Sequence, residues 1–386
     1  MKRCIVILLF ALSAVACGAV TAAIQDDDNL DNIRHNNHIV PEEGYQWPVK
    51  ERTYWPTRCW LAAPMEMHGL DPEGVATADS TAENDPFFRA LLVVRNGYLV
   101  FEKYYHGGSS DQSTEVWSVT KSITSALVGI AIDQGRITSF DEFMVELMPD
   151  YVGFGEMTLE HVLTHQTGLE WNEASLQSWI QSRDWIEEAL SRGFAAKPGT
   201  VLLYSSGNSH IVSGLILKST GDSPGILAKQ HLFEPLGIEF VPMSQARRYT
   251  DWSQLHEPLT RTWRQDNMGL EIGAFGLCMT AREMAKFGFL YLNRGMWDGE
   301  EIISRAWVEK STRDYVLRSA EVGFGYYWVI YKRAGYIAFD ADGWGGQTIS
   351  VIPALDMVIV TKCDAVNPQG TSSYQVLNEI LASVKE

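Results

Sequence analysis

Cysteine is scarce in this chain, which contains only five in 386 residues. Cys59, Cys278 and Cys363 lie beyond the N-terminal segment, so at most one disulfide can join them, and no spacing is typical of a metal site. Positive charge is also in short supply, since 31 Lys and Arg residues stand against 48 Asp and Glu residues, a formal net charge of −17. This balance disfavours nucleic acid or an anionic membrane surface as a partner.

The N-terminal apolar run, Ile5 to Val15, is too short to cross a membrane. It follows Lys2 and Arg3 and precedes small residues, an order that is typical of a secretory signal peptide over residues 1–23. We therefore expect an exported protein, either periplasmic or extracellular.

Two processing sites compete in this segment, and both stay open. Cleavage after Ala22 or Ala23 would release a free protein, whereas lipoprotein cleavage before Cys17 would leave a lipidated N-terminus as the means of membrane attachment. Residues 24–45 are polar and acidic and are interpreted as a flexible tether. Residues 46–386 then form one large folded domain.

Strand patterns lie at both ends of that domain. Leu91–Val94 and Tyr98–Phe101 flank Asn96-Gly97, a strong signal for a β-hairpin. Further strands are predicted over 326–331, 347–352 and 357–361, and helices over 176–190, 209–218, 226–233, 280–292 and 374–384. This order predicts an α+β fold. One antiparallel sheet is built from the N- and C-terminal strands and flanked by helices, with an inserted, mainly helical region.

A serine and a lysine three residues apart precede one further helical pattern. Ser118 and Lys121 stand at the start of a periodicity that predicts a helix ending near Gly135. Residues three apart share a helix face, so the amine can reach the hydroxyl. A serine hydroxyl is a weak nucleophile until an adjacent base takes its proton, and a lysine of lowered pKa can be that base.

Two other segments could complete a site around this pair. Tyr204 stands before a predicted helix, where its hydroxyl could shuttle a proton. Trp344, Gly345 and Gly346 precede a predicted strand and are interpreted as a glycine-rich entry to an edge strand, which leaves the backbone N–H of Gln347 free as an oxyanion donor. Taken singly, each segment is better explained as a structural turn.

Together, the three segments resemble the serine hydrolases of the class C β-lactamase and penicillin-recognising superfamily. That family carries S-x-x-K, then Y-x-N or Y-x-S, then a glycine-rich K/H/W-[TG]-G motif on a strand. Residues 158–169, 233–238 and 275–288 also resemble its connecting stretches, in the right order. The resemblance runs from about residue 85 to the C-terminus. It implies a β-lactamase/transpeptidase-like fold that needs no metal and no cofactor.

Carried over by position, the resemblance implies an acyl-enzyme on Ser118. Lys121 would be its base and Tyr204 the proton shuttle. The backbone amides of Ser118 and Gln347 would form the oxyanion hole.

The implied substrate-binding positions depart from those of β-lactamases. Ser206 falls where many relatives have the Asn that holds a substrate amide, and Asn208 lies close enough to replace it. Trp344 and Gly345, which precede Gly346, replace the Lys and Thr of the K-T-G motif, whose Lys helps to bind the β-lactam carboxylate. The form found here is more similar to esterases and 6-aminohexanoate-dimer hydrolases, which cleave esters or linear amides.

The resemblance therefore predicts an exported serine hydrolase that cleaves a small-molecule ester, amide or peptide-like substrate. Two alternatives remain open. One is a β-lactamase or D-Ala-D-Ala carboxypeptidase-like cell-wall enzyme. The other is a non-catalytic homologue that only binds its ligand.

The remaining patterns are interpreted as structural. Residues 221–225 fit the G-x-S-x-G elbow of α/β-hydrolases around Ser223, but a predicted helix precedes them, which favours a helix–helix turn. His161 and His165 have a spacing that could serve a metal, yet no third ligand is evident.

Aromatic and acidic residues near the predicted site also have simple interpretations. Trp171, Trp179 and Trp185 could line an apolar substrate cleft beside Trp344, but most of them are expected in the core. Glu170 and Glu173 could meet a cationic end of a substrate, and solvated acids are the default interpretation.

Overall fold

The computed structural model describes residues 38–49, 51–244, 247–365 and 371–385. The predicted signal peptide, both of its alternative cleavage sites and the predicted tether up to residue 37 lie outside these residues. Within the described ranges, no helix combines the length and apolar character that a membrane span requires.

An antiparallel sheet forms the centre of the fold. The strands of the described chain are β1 (Phe88–Arg95), β2 (Tyr98–Tyr104), β3 (Thr114–Glu115), β4 (Cys278–Met279), β5 (Met296–Trp297), β6 (Glu300–Glu301), β7 (Val316–Ser319), β8 (Val322–Phe324), β9 (Val329–Arg333), β10 (Tyr336–Gly343), β11 (Gln347–Ile352) and β12 (Met357–Cys363). Eight of them form one sheet in the order β2-β1-β12-β11-β10-β9-β8-β7. Since β1 pairs with β12, the two ends of the chain meet in its interior. The predicted α+β fold is confirmed.

The strand predictions are confirmed for the hairpin, for β11, which has the predicted bounds, and for β12, which runs two residues further than predicted. Asn96 and Gly97 both have positive φ, 52° and 86°, as a tight two-residue hairpin turn requires. The strand expected over 326–331 begins later, at Val329, and β7, β8 and β10 were not predicted. The expectation that β11 is an edge strand is wrong, because β10, β9, β8 and β7 extend the sheet beyond it.

Helices cover both faces of the sheet. They are α1 (Pro72–Asn84), α2 (Val119–Asp133), α3 (Met144–Leu147), α4 (Leu159–Leu163), α5 (Leu176–Gln181), α6 (Trp185–Ser191), α7 (Ser206–Thr220), α8 (Pro224–Ala228), α9 (Glu234–Leu236), α10 (Ala281–Leu292), α11 (Arg305–Ser311) and α12 (Ser373–Ala382). α1 and α12 pack together against one face, and α2 and α10 against the other. The stretch from α3 to α9 is the mainly helical insertion.

The alternation of side chains along β1 builds two separate cores. Leu91 and Val93 belong to the cluster beneath α1 and α12, whereas Leu92 and Val94 belong to the cluster that includes α2 and α10. Each of these four side chains is fully buried. The sheet thus forms a rigid floor for α2, the helix that follows Ser118.

The single helix predicted over 176–190 is in fact two, α5 and α6. The side chain of Asp184 accepts hydrogen bonds from the backbone N atoms of Ile186 (2.9 Å) and Glu187 (3.0 Å). This residue has extended backbone angles and caps α6, so one helix cannot run through it. The stretch predicted over 226–233 continues from α8 into a π-helical turn at Lys229–Phe233.

The predicted tether does not extend to residue 45. The carboxylate of Asp314 accepts hydrogen bonds from the backbone N atoms of Ile39 (2.6 Å) and Val40 (3.2 Å). The Tyr45 hydroxyl donates to the carbonyl of Thr312 at 2.6 Å. Residues 38–45 are therefore packed on the folded domain, because their apolar side chains are buried in spite of the polar segment before them.

Candidate active site

The candidate nucleophile lies at the start of α2. Ser118 directly precedes the helix and Lys121 lies on its first turn. Trp117, immediately before the serine, has a φ of 50°, which is uncommon for a bulky side chain. Backbone strain of this kind is concentrated at functional sites, where surrounding packing holds it in place.

Three predicted side chains converge at this helix start. Ser118 Oγ accepts a hydrogen bond from Lys121 Nζ at 3.0 Å and another from Tyr204 Oη at 2.8 Å. Lys121 is only 2% exposed, and its Nζ also donates to the carbonyl of Ala274 at 2.9 Å. The amine lies 4.8 Å from the centroid of the Tyr204 ring. The arrangement places two proton-carrying groups on one serine oxygen.

His165 supports Tyr204 from behind. The two ring centroids are 4.7 Å apart, and the backbone N of Ser205 donates to His165 Nδ1 at 3.3 Å. Burial, together with the positive charge of Lys121, holds the pKa of His165 well below its ordinary value, so the ring is neutral at pH 7. His165 thus has the structural role expected of it, but directly against a candidate catalytic residue.

Glu173 is not the solvated acid that was expected. Its carboxylate accepts hydrogen bonds from the backbone N and the hydroxyl of Ser206, at 2.8 and 2.9 Å, and from Trp171 Nε1 at 2.7 Å. The expectation was wrong because Ser206 is remote in sequence and only the fold brings it to Glu173. Glu170, by contrast, is exposed.

The candidate amide-binding residues are engaged by the protein itself. Ser206 is 3% exposed and its hydroxyl donates to Glu173, while Asn208 is 1% exposed and donates through Nδ2 to Thr167 Oγ1 at 2.8 Å. Both lie in the first turn of α7, just behind Tyr204. Their side chains hold the start of that helix in place.

The glycine-rich segment forms the turn between β10 and β11. A Cβ built on Gly343 would overlap the carbonyl oxygen of Val116, so the turn lies beside the segment that carries Ser118. Gly345 and Gly346 have φ of 78° and 91°. Positive φ at both residues favours glycine here irrespective of any substrate.

The oxyanion prediction for Gln347 concerns its backbone N–H, and the side chain of this residue is engaged elsewhere. It is 1% exposed and its Nε2 donates to the carbonyl of Cys363 in β12. Only the backbone of Gln347, the first residue of β11, follows the glycine turn.

The tryptophans near the site fall into buried and exposed residues as the sequence indicated. Trp171, Trp179 and Trp185 are buried in the helical insertion, whereas Trp344 is 44% exposed. The Trp344 ring lies 4.9 Å from that of Trp117, which sequence reasoning missed because nothing in the motif singles out the residue before the serine.

A buried ion pair lies three residues before the candidate nucleophile. Glu115 Oε2 is 3.4 Å from Arg264 Nε, and both side chains are almost wholly buried. Burial raises the pKa of Glu115 to about 7, and the neighbouring guanidinium opposes that rise only in part.

The other sequence patterns form no second site. Ser223 lies between α7 and α8 and begins the second helix, so the G-x-S-x-G match is the helix–helix turn that was predicted. His161 Nδ1 accepts a hydrogen bond from the backbone N of Thr158, whereas His165 contacts Tyr204. Across the described ranges, no group of His, Cys, Asp or Glu residues could hold a metal ion.

Comparison with known proteins identifies the family to which the chain belongs. The family model described as Beta-lactamase matches residues 89–376. A 6-aminohexanoate-dimer hydrolase of Paenarthrobacter ureafaciens is 24% identical over 325 residues, which cover 76% of this chain and 77% of the relative. Penicillin-binding protein 4 of Amycolatopsis lactamdurans is 24% identical over 277 residues, 65% of this chain and 71% of the relative.

A solved structure described as a family VIII carboxylesterase superposes with a TM-score of 0.61 at 18% identity, covering 84% of this chain and 98% of its own. This likeness concerns the fold. Since the family model matches well over half of the sequence and includes the segments that carry Ser118, Lys121 and Tyr204, the chain belongs to the Beta-lactamase family.

Proposed function

We propose that this Beta-lactamase family hydrolase is a serine hydrolase that cleaves a small ester or linear amide through an acyl-enzyme on Ser118. The observation that supports this proposal is the pair of hydrogen bonds from Lys121 and Tyr204 to the same oxygen, Ser118 Oγ. A serine with a base on one side and a second proton carrier on the other has what both halves of acyl transfer require.

In the proposed first half-reaction, Ser118 Oγ attacks the substrate carbonyl carbon while Lys121, in its neutral form, takes the hydroxyl proton. The carbonyl oxygen becomes an oxyanion, which the backbone N–H groups of Ser118 and Gln347 stabilise. Tyr204 delivers a proton to the leaving alcohol or amine as the ester or amide bond breaks, and Lys121 restores the tyrosine proton. The product is an ester of Ser118.

In the second half-reaction, water attacks the acyl carbon and gives its proton to the same pair of groups. The bond to Ser118 Oγ breaks, the oxygen regains a proton, and the carboxylic acid leaves. Lys121 keeps its position throughout because it also donates to the carbonyl of Ala274.

Two observations favour an ester or linear amide over a β-lactam. Trp344 stands where the β-lactamase motif has the Lys that binds a carboxylate, and relatives include a 6-aminohexanoate-dimer hydrolase and, in fold, a family VIII carboxylesterase. A penicillin-binding protein is among the relatives as well, so turnover of the chromogenic β-lactam nitrocefin is the comparison to make. Nitrocefin turnover faster than that of simple esters would overturn this preference.

The decisive experiment is mass-spectrometric mapping of a fluorophosphonate adduct on the purified protein. We expect the adduct on Ser118, since such probes label a serine that is already activated, and no adduct in Ser118→Ala. An adduct on Ser223, or none at all on the wild-type protein, would overturn the proposal.

We also propose that the protein is exported and that residues 1–23 are removed, or that cleavage precedes Cys17. N-terminal analysis of the processed protein distinguishes a start at residue 23 or 24 from a lipidated Cys17. Recovery of the unprocessed chain from the cytoplasm would contradict the export proposal. Cys17→Ser should abolish membrane attachment only in the lipoprotein case.

A further inference from the structure

Five aromatic side chains form one contiguous cluster beside Ser118. This aromatic platform consists of Trp117, Trp252, His256, Phe275 and Trp344. The Trp117 ring centroid lies 4.9 Å from that of Trp344, 5.4 Å from His256, 6.4 Å from Phe275 and 6.5 Å from Trp252. Trp252 also contacts His256 and Phe275, each at 5.8 Å.

Three segments of the candidate site each supply one member of the platform. Trp117 directly precedes Ser118, Phe275 follows Ala274, whose carbonyl holds Lys121, and Trp344 opens the turn before Gln347. The platform is therefore fixed to the reacting groups on three sides, so any group that rests on it has a defined position relative to Ser118 Oγ.

Some rings of the platform are buried, and others are accessible to a ligand. Trp117 and Phe275 are 7% and 3% exposed, whereas Trp344 is 44% exposed and His256 is also exposed. The rings of Trp117 and Trp344 contact each other edge to face, which leaves no gap between them for an inserted ligand. A ligand must lie on the exposed ring surfaces.

The five side chains of the platform are uncharged at pH 7. Partial burial, and in smaller part the nearby Arg264, lowers the pKa of His256, so its ring is neutral at pH 7. Arg264 is only 2% exposed and therefore out of a ligand's reach, and Arg247 forms an ion pair with Glu257. Because the face of an aromatic ring carries partial negative charge, it favours another ring over a carboxylate.

We propose that the aromatic platform binds an uncharged aromatic group adjacent to the scissile ester or amide bond, and so selects aromatic substrates over small aliphatic and over carboxylate-bearing ones. This inference rests on the proposed function and adds a substrate class to it.

Four ethyl or acetate esters test the proposal on the wild-type protein by pH-stat titration. Ethyl phenylacetate places the ring on the acyl side, benzyl acetate places it on the leaving-group side, ethyl acetate has no ring, and monoethyl 4-carboxyphenylacetate adds a charge. With rates normalised to hydroxide-catalysed hydrolysis, we expect kcat/KM to be about tenfold higher for one ring-bearing ester than for ethyl acetate. If the acyl-side ester is preferred, its carboxylated form should lose that gain.

A higher kcat/KM for either ring-bearing ester than for ethyl acetate supports the platform. The preferred ester shows which side of the scissile bond the platform contacts. Values for all uncharged esters within twofold of one another, or a preference for the carboxylated ester, would overturn it. Fluorophosphonate labelling of the wild-type protein is read separately: an unlabelled Ser118 rejects the hydrolase itself, whereas a labelled protein without aromatic preference rejects only the platform.

Matched variants locate the preference on the protein. Trp344→Ala should lower the ratio of kcat/KM for the preferred aromatic ester to that for ethyl acetate about tenfold, and Trp344→Phe should keep most of it. Phe194→Ala, which removes a ring of nearly equal exposure (45%) outside the platform, should leave the ratio unchanged. If Trp344→Ala does not fold, Trp252→Ala serves instead. An unchanged ratio in a folded variant of either tryptophan contradicts the proposal.

Discussion

The carboxylate of Glu173 accepts two hydrogen bonds from Ser206, one from the backbone N at 2.8 Å and one from the hydroxyl at 2.9 Å. It thereby links the short helical turn at Glu173–Ser175 to the first residue of α7, two positions after Tyr204. Nothing in the sequence distinguishes Glu173 from the other acidic residues. In the fold it supports the position of Tyr204, the candidate proton shuttle.

Glu173→Ala should lower the free energy of unfolding by about 2–3 kcal/mol, because it leaves Ser206 and Trp171 Nε1 without their charged acceptor. We expect kcat to fall as well, since the start of α7 positions Tyr204. Urea denaturation and ester hydrolysis measure the two effects. Glu170→Ala is the matched control, with a change below about 0.5 kcal/mol. Equal stabilities of the two variants would refute the supporting role of Glu173.

Tyr204→Phe removes one hydroxyl and keeps the ring that packs on His165. We expect kcat/KM to fall by about 10²–10⁴-fold, the usual contribution of a positioned proton carrier. Thermal unfolding should change little, because the 4.7 Å contact between the rings is retained. A variant that is folded and fully active would show that Tyr204 carries no proton in the reaction.

Gly346→Ala should be strongly destabilising and should abolish fluorophosphonate labelling. A Cβ there would overlap Thr371 Oγ1 and lie 3.0 Å from Cys363 Sγ, in addition to the strain of a φ of 91°. Gly335→Ala measures the backbone strain alone, because Gly335 has a similar φ of 85° with open space around it. This variant should lower the free energy of unfolding by about 1–2 kcal/mol. Similar losses for the two variants, measured by chemical denaturation, would mean that the close approach at Gly346 is unimportant.

Glu115→Gln tests the buried ion pair through its pH dependence. Burial raises the pKa of Glu115 from 4.5 to about 7, so the native protein binds this proton more tightly than the unfolded chain does. The resulting stabilisation is complete below about pH 4.5 and is lost as the pH rises through 7.

Gln cannot titrate, so raising the pH should destabilise the wild type but not the variant through this position. The difference in unfolding free energy between Glu115→Gln and the wild type should therefore shift in favour of the variant as the pH rises. We expect a shift on the order of 2 kcal/mol between pH 5 and pH 8. Denaturation at a series of pH values measures it, and exposed Glu300→Gln provides the baseline. A shift in the opposite direction would mean that Arg264 dominates and lowers the pKa of Glu115.

Local chemistry explains which elements were predictable. The turn at Asn96-Gly97 and the start of α10, where Thr280 and Glu283 form a reciprocal cap, depend on neighbouring residues alone. Strand β10 escaped prediction because Asp340 and Asp342 make its sequence polar. The fold supplies their partners, since Asp340 pairs with Arg333 at 3.0 Å.

The residues of the candidate site also differ in whether the sequence could identify them. Ser118 and Lys121 are close in sequence, and the family pattern identified Tyr204, so their convergence was predicted. Glu173 and the platform residue Trp252 could not be found in this way, because each acquires its role from a contact across the fold. No local periodicity records such contacts.

The pairing of Leu92 with Val360 joins two parts of the chain that are synthesised far apart in time. During synthesis, Ser118 and its helix are complete long before β11 and β12 exist, and Gln347 is the first residue of β11. Closing so long a loop is entropically costly, so this pairing is expected to be a late event in folding. A growing chain therefore carries its candidate nucleophile without a finished site. Truncation before residue 347 should leave Ser118 unlabelled by a fluorophosphonate, because β11, β12 and the proposed oxyanion donor Gln347 would be absent.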